Sequence, residues 1–192
     1  MAMLRTLSGS LLLLTALAVS SCISPPDFPS TPNIEFKELK VTRITDPNPN
    51  IVPQDQVAVT VSFQDGEGDL GLTNDQKTKG SPYYQDPQQG APRNRNFYNY
   101  FITIFRQNGQ GRFEPVPLVD PRFPYDSTFP PLDPEGGKAA PLKGDLTFTT
   151  NFDIDTDKPI KPGDIIRFEI SIMDRALNES NKITTTSYLV QP

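Results

Sequence analysis

Between positions 57 and 63 the side chains alternate, with Val57, Val59, Val61 and Phe63 separated by Ala58, Thr60 and Ser62. A period of two is what a strand needs to bury one face and wet the other. Residues 166–172 repeat the pattern, setting Ile166, Phe168, Ile170 and Ile172 against Arg167, Glu169 and Ser171. The same reasoning places further strands at 34–44, 97–106, 112–118, 145–154 and 182–190. Seven short strands without a helical period between them predict an all-β chain, a single antiparallel β-sandwich of the immunoglobulin/fibronectin-like type; a small barrel is the alternative. Asn108-Gly109-Gln110-Gly111, between two of these strands, is a hairpin signal. The run FYNYFITIF carries aromatic residues on both faces, so it is expected to be a central strand, covered by a sheet on one side and a loop on the other.

Proline adds a second constraint. The chain has 21 prolines in 192 residues, well above the usual level of about 5% and unfavourable to helices. The stretches 71–96 and 119–141 are irregular, rich in Pro, Gly, Gln and Asp, and much longer than an ordinary connection. Tyr83 and Tyr84 in the first, and Phe123, Tyr125 and Phe129 in the second, either pack back on the sandwich or offer a binding surface.

The N-terminus reads as an address. Arg5 precedes the apolar stretch LLLLTALAV, which is too short to span a bilayer but fits the core of a secretory signal. VSSC, ending in the chain's sole cysteine, Cys22, resembles the lipobox of bacterial lipoproteins. That resemblance implies a signal peptide at 1–21, lipid attached to Cys22, and anchorage to a membrane; an ordinary signal peptide with a lone thiol is the other reading. Residues 22–33, with four prolines in ISPPDFPSTPN, then form a mobile tether, and the sandwich occupies 34–192. Cleavage leaves no thiol in the domain, which excludes a disulfide framework and a cysteine nucleophile.

Charge excludes another class. Eighteen Lys and Arg against 23 Asp and Glu give −5, and there is no basic stripe, so no nucleic acid is expected as a partner. Loss of Arg5 by cleavage makes the balance −6, from 17 cations and 23 anions.

The acidic residues are unevenly placed. Asp65, Glu67 and Asp69 alternate with glycines in FQDGEGDLG, directly after the 57–63 strand. Carboxylates so crowded repel one another unless a cation or water screens them, and hard oxygens on a glycine-rich loop suit calcium. A helix-loop-helix calcium loop is rejected, since Leu70 holds its sixth position, Gln76 its twelfth, and no helices flank it. A site on a sandwich needs ligands from a second loop, and Asp174, Asn178 and Asn181 follow the 166–172 strand. If these strands correspond to B and F of an immunoglobulin-type sandwich, both loops leave it at one end. The competing reading is that Asp and Asn only form turns there, with Gly66, Gly68 and Gly71 supplying positive φ. Asp153, Asp155 and Asp157 alternate without glycines and are expected to be a solvated strand end, and Arg93 and Arg95 to be solvated loop charges.

DGEGDLGL, FPPLDPEGGKAAPLKGDLTF and DIIRFEISIMDRALNESNKITTT together resemble an uncharacterised family of Bacteroidota lipoproteins with an immunoglobulin-like domain, over most of 34–190. The resemblance implies a Gram-negative cell envelope, with attachment to the outer membrane. The ISPPD after Cys22 has a single acid where surface-exported members carry several, so the periplasmic and surface faces both stay open. Leu177 stands where related versions have glycine, which implies a different turn.

The inventory bears on activity as well. With no histidine and no domain cysteine, imidazole-dependent hydrolases, serine triads and cysteine enzymes are excluded. Asp65 and Asp174 are the remaining pair for glycoside hydrolysis, which a small sandwich without a deep cleft disfavours. The expected role is therefore non-enzymatic: an accessory or interaction module for another envelope protein. The alternative is a carbohydrate-binding module that takes a glycan on Tyr83 and Tyr84.

Overall fold

The computed structural model describes residues 27–191 except 49, 87, 89, 90, 92, 121, 123 and 134–139. Arg5, Cys22, the signal segment, Phe123 and the first part of the tether lie outside the described residues.

The chain is an antiparallel β-sandwich of the immunoglobulin/fibronectin-like class. Among the described residues eight strands form two sheets: β1 (Asn33–Ile44), β2 (Gln54–Asp65) and β5 (Leu142–Asp153) in one; β3 (Tyr100–Gln107), β4 (Phe113–Pro115), β6 (Ile165–Ile172), β7 (Ile183–Thr184) and β8 (Tyr188–Leu189) in the other. The orders are β1-β2-β5 and β4-β3-β6-β7, with β8 also on β6. Mapped onto the immunoglobulin letters, β1, β2 and β5 are A, B and E, and β3, β6 and the β7/β8 pair are C, F and G. The fourth strand of the ABED sheet has no counterpart among the described residues, which leaves β5 at the sheet edge.

The alternating positions close the core. Val57, Val59, Val61 and Phe63 of β2 and Ile166, Phe168, Ile170 and Ile172 of β6 are all buried and face one another across the layers. Each such side chain contributes about 1.5–3 kcal/mol on burial. Aromatic rings bridge the sheets, with Tyr100 stacked on Phe148 at 4.3 Å and Phe168 between Phe152 at 5.7 Å and Tyr188 at 6.3 Å.

Two elements differ from expectation. The last strand is broken in two because Thr185 turns its hydroxyl into the ladder: Phe168 N–H donates to Thr185 Oγ1 (3.0 Å), while Thr185 Oγ1 donates to Thr186 O (2.8 Å). A hydroxyl that competes for backbone partners breaks regular pairing. The expected 112–118 strand is reduced to β4, as Pro115 and Pro117 carry no N–H to extend it. By contrast, β3 is central as expected, and its outward Phe101 is roofed by the Arg95 guanidinium 3.7 Å from the ring centroid. Asn108–Gly111 makes the β3–β4 hairpin, with Gly111 at φ +78.

Candidate metal centre

The loops after β2 and β6 meet at one pole. Asp65 is the last residue of β2 and keeps the inward parity of Phe63, so its carboxyl enters the sandwich and the residue has no exposed surface. The chain then curls back: Gly66 N–H donates to Pro29 O (2.8 Å), Gly68 takes φ +67, and Asp69 N–H donates to Asp65 Oδ2 (2.9 Å). Only glycine fits at 68, because a Cβ there would lie 2.0 Å from Ala140 O. Leu70 bridges to Asp174, and Arg175 N–H donates to Asp69 O (3.2 Å). This pairing joins the two loops.

Asp65, Asp69 and Asp174 each direct one carboxylate oxygen into a group whose members lie within 4.8 Å of one another. Asp174 is 2% exposed, and Asn178 donates its backbone N–H (2.7 Å) and its Nδ2–H (2.9 Å) to the two carboxylate oxygens. The remaining oxygens are not so well served. Asp65 Oδ1 and Asp69 Oδ1 are buried and accept no hydrogen bond from any described residue. A buried oxygen anion without a donor is costly and marks a missing partner.

The titration behaviour agrees with the geometry. Burial, then the neighbouring Asp174 and Asp65 carboxylates, push Asp69 up to about 6, against the pull of Arg175. Asp65 is raised as well, chiefly by burial and by Asp174 and Glu67, although the Asp69 and Gly68 backbone N–H groups oppose the shift. Burial also raises Tyr83, helped by Asp69 and Asp174.

Of the six ligand candidates read from the sequence, three converge and three do other work. Glu67 lies exposed at the loop tip, because the chain leaves strand geometry at Gly66. Asn178 orients Asp174. Asn181 pins the β1 edge, donating Nδ2–H to Ile34 O and accepting from Ile34 N–H, both at 2.8 Å. Two supports were not read as part of this centre: the Pro29 carbonyl under Gly66, and Tyr83, one of the loop tyrosines expected to pack back or to bind, whose hydroxyl donates to Arg175 O. Tyr83 and Tyr84 are both half-buried. Arg93 and Arg95 are engaged by Asp126 and Glu179. The 153–157 acids do not form a metal-sized group among the described residues, and Asp153 pairs loosely with Lys158 at 3.7 Å.

The donor set fits a hard divalent cation, since all three groups are carboxylates and two of their oxygens are buried without a donor. Calcium takes six to eight oxygens at about 2.3–2.6 Å, so water or backbone carbonyls would complete its shell. Glycoside hydrolysis fits poorly: Asp65 and Asp174 are both buried, which leaves a sugar no access to them.

No family model matches the chain, and no curated protein matches it. Among solved structures, the X-ray structure of Northeast Structural Genomics Consortium target SoR45 aligns with 83% of this chain and 87% of its own, at 10% identity and a TM-score of 0.30.

Proposed function

We infer that the protein is a non-enzymatic envelope lipoprotein, anchored through lipid on Cys22, whose acidic pole binds one calcium ion and which serves another envelope protein as an accessory module. The cation part rests on one cluster: Asp65, Asp69 and Asp174 each offer a carboxylate oxygen within 4.8 Å of the others, and Asp65 and Asp69 each keep a buried, undonated Oδ1. A cation there would tie the β2 and β6 loops together and remove their repulsion.

The anchor part rests on VSSC and on the position of the tether. Pro29 lies seven positions after Cys22, a reach of at most about 25 Å. Pro29 is bonded to Gly66 in the acidic loop, so the cation pole would lie within that distance of the bilayer.

The full chain in detergent is melted in calcium, in magnesium and in chelator. Calcium is expected to raise the midpoint over both others; an unchanged midpoint at about 1 mM calcium removes the cation reading. Co-purification from native envelope tests the accessory role. Recovery of one stoichiometric envelope protein supports it, and a chain recovered alone counts against it.

A further inference from the structure

We propose that β5 is a self-association edge, along which a second copy of this chain pairs antiparallel so that two three-stranded sheets become one. This does not depend on the calcium reading.

An unpaired sheet edge offers a row of backbone donors and acceptors to any incoming strand, and proteins usually blunt such edges. The other edges here are blunted. β4 spans three residues and ends in Pro115, and β7 and β8 span two each. β1 has a bulge between Phe36 and Glu38, and Asn181 occupies both backbone groups of Ile34. β5 has none of these defences. It runs twelve residues in unbroken register with β2, contains no proline, and among the described residues makes backbone hydrogen bonds to β2 alone.

The sequence of β5 is complementary to itself. If Phe148 sits opposite its own copy, Lys143 faces the second copy's Asp153, Asp145 faces Asn151, and Thr147 faces Thr149, all on the solvent side of the sheet. The two-fold axis makes each of these pairs twice. On the inner side Phe152 falls opposite Gly144, whose inward face is already covered by the Phe63 ring of its own chain, so this pairing brings no like charges together. Opposite-charge and Thr–Thr pairs are the favourable cross-strand contacts. Neighbouring registers are worse. A shift of two residues one way sets Asp145 against Asp153, and the same shift the other way leaves Lys143 against Asn151. Val119, the most exposed large apolar side chain among the described residues at 82%, lies beside Asn151–Asp153 and would be covered by the second copy.

Sedimentation velocity of the full chain in detergent tests this with Lys143→Asp, Asp153→Lys and the two combined. The unmodified chain is expected to dimerise, each single exchange to weaken association about tenfold or more, and the double exchange to restore it. Both side chains are exposed, and circular dichroism checks that the variants fold. An independent pair uses the Thr147–Thr149 contact: Thr147→Lys with Thr149→Lys should dissociate the dimer, whereas Thr147→Lys with Thr149→Glu should keep it. A chain that is monomeric at about 0.1 mM overturns the proposal. So does a dimer insensitive to every exchange, which would be held by another surface.

Discussion

Replacing Asp69 by Asn separates a cation site from a simple turn, because the two give opposite signs. Three carboxylate oxygens within 4.8 Å repel by about 3–4 kcal/mol per pair at an effective dielectric near 20. Fully ionised, the three pairs come to about 10 kcal/mol, comparable to the entire stability of a typical domain at about 5–15 kcal/mol. Without a cation the group therefore keeps a proton until the pH passes about 6, the value to which burial and the neighbouring carboxylates push Asp69 from 3.8. Since the folded pKa is the higher one, the full stability is present below about pH 4 and falls as pH rises to about 6, where the folded chain binds more protons than the unfolded chain. Asparagine keeps the shape and one oxygen but never ionises.

The assay is thermal unfolding of the full chain in detergent, with calcium or chelator, across that pH interval. In chelator at about pH 7.5 the Asp69→Asn chain should melt above the unmodified one, and it should lose most of the decline between about pH 4 and 6. With calcium at about a hundred times its Kd, the unmodified chain should gain about 2.7 kcal/mol, or about 5–10 °C for a chain of this length. The Asp69→Asn chain should gain little. A variant that melts lower in chelator, or a calcium shift equal in both chains, refutes the reasoning.

Three further outcomes are expected from urea unfolding. Asn181→Ala removes both hydrogen bonds to Ile34 and should cost about 1–3 kcal/mol whether or not calcium is present. Gly68→Ala must place a Cβ 2.0 Å from Ala140 O at φ +67, so it should cost about 2 kcal/mol or more and also diminish the calcium response. Leu177, 38% exposed, sits at φ +69; Leu177→Gly should raise stability by up to about 1 kcal/mol, because a left-handed leucine carries about 1–2 kcal/mol of strain and glycine returns part of that as chain entropy.

What could be read from the sequence follows from periodicity and strand direction. Val57–Phe63 and Ile166–Ile172 alternate cleanly, which gave both core faces and, through their common direction, one pole for the loops behind them. The broken last strand could not be read, because Thr185 looks like any β-branched strand residue until its hydroxyl is seen to replace a ladder bond. In the loops alternation misleads. Glu67 and Asp69 share the parity of Asp65, yet once Gly66 and Gly68 bend the chain only Asp69 returns beside it. Asn181 has the composition of a ligand and the position of a strand pin. Leu177, expected from the resemblance to give a different turn, adopts the left-handed conformation itself. Tyr83 was legible as a loop aromatic with a use, but its partner Arg175, ninety-two residues away in sequence, was not.

The proposed lipid anchor and the proposed β5 pair constrain each other. The tether docks at the acidic pole, beside Gly66, and Gly68 of the same loop lies against Ala140 and Leu142 at the start of β5. An antiparallel β5 pair therefore sends the acidic poles, and with them the tethers, to opposite ends of the joined sheet, about 40 Å apart for strands of this length. The two-fold axis of such a pair is perpendicular to the sheet. If both lipids enter one bilayer, that axis must lie along the membrane normal, the strands must run parallel to the membrane, and each sandwich must rest on a sheet face instead of standing on its pole. A fluorophore on Thr60, outside the three-stranded sheet, and one on Thr103, outside the other, should then differ in quenching by lipid-headgroup quenchers, the membrane-facing one strongly and the outward one hardly. Lys143→Asp, by freeing the monomers to stand on their tethers, should make the two labels alike. Equal quenching in the unmodified dimer would mean that the two anchors do not share a bilayer.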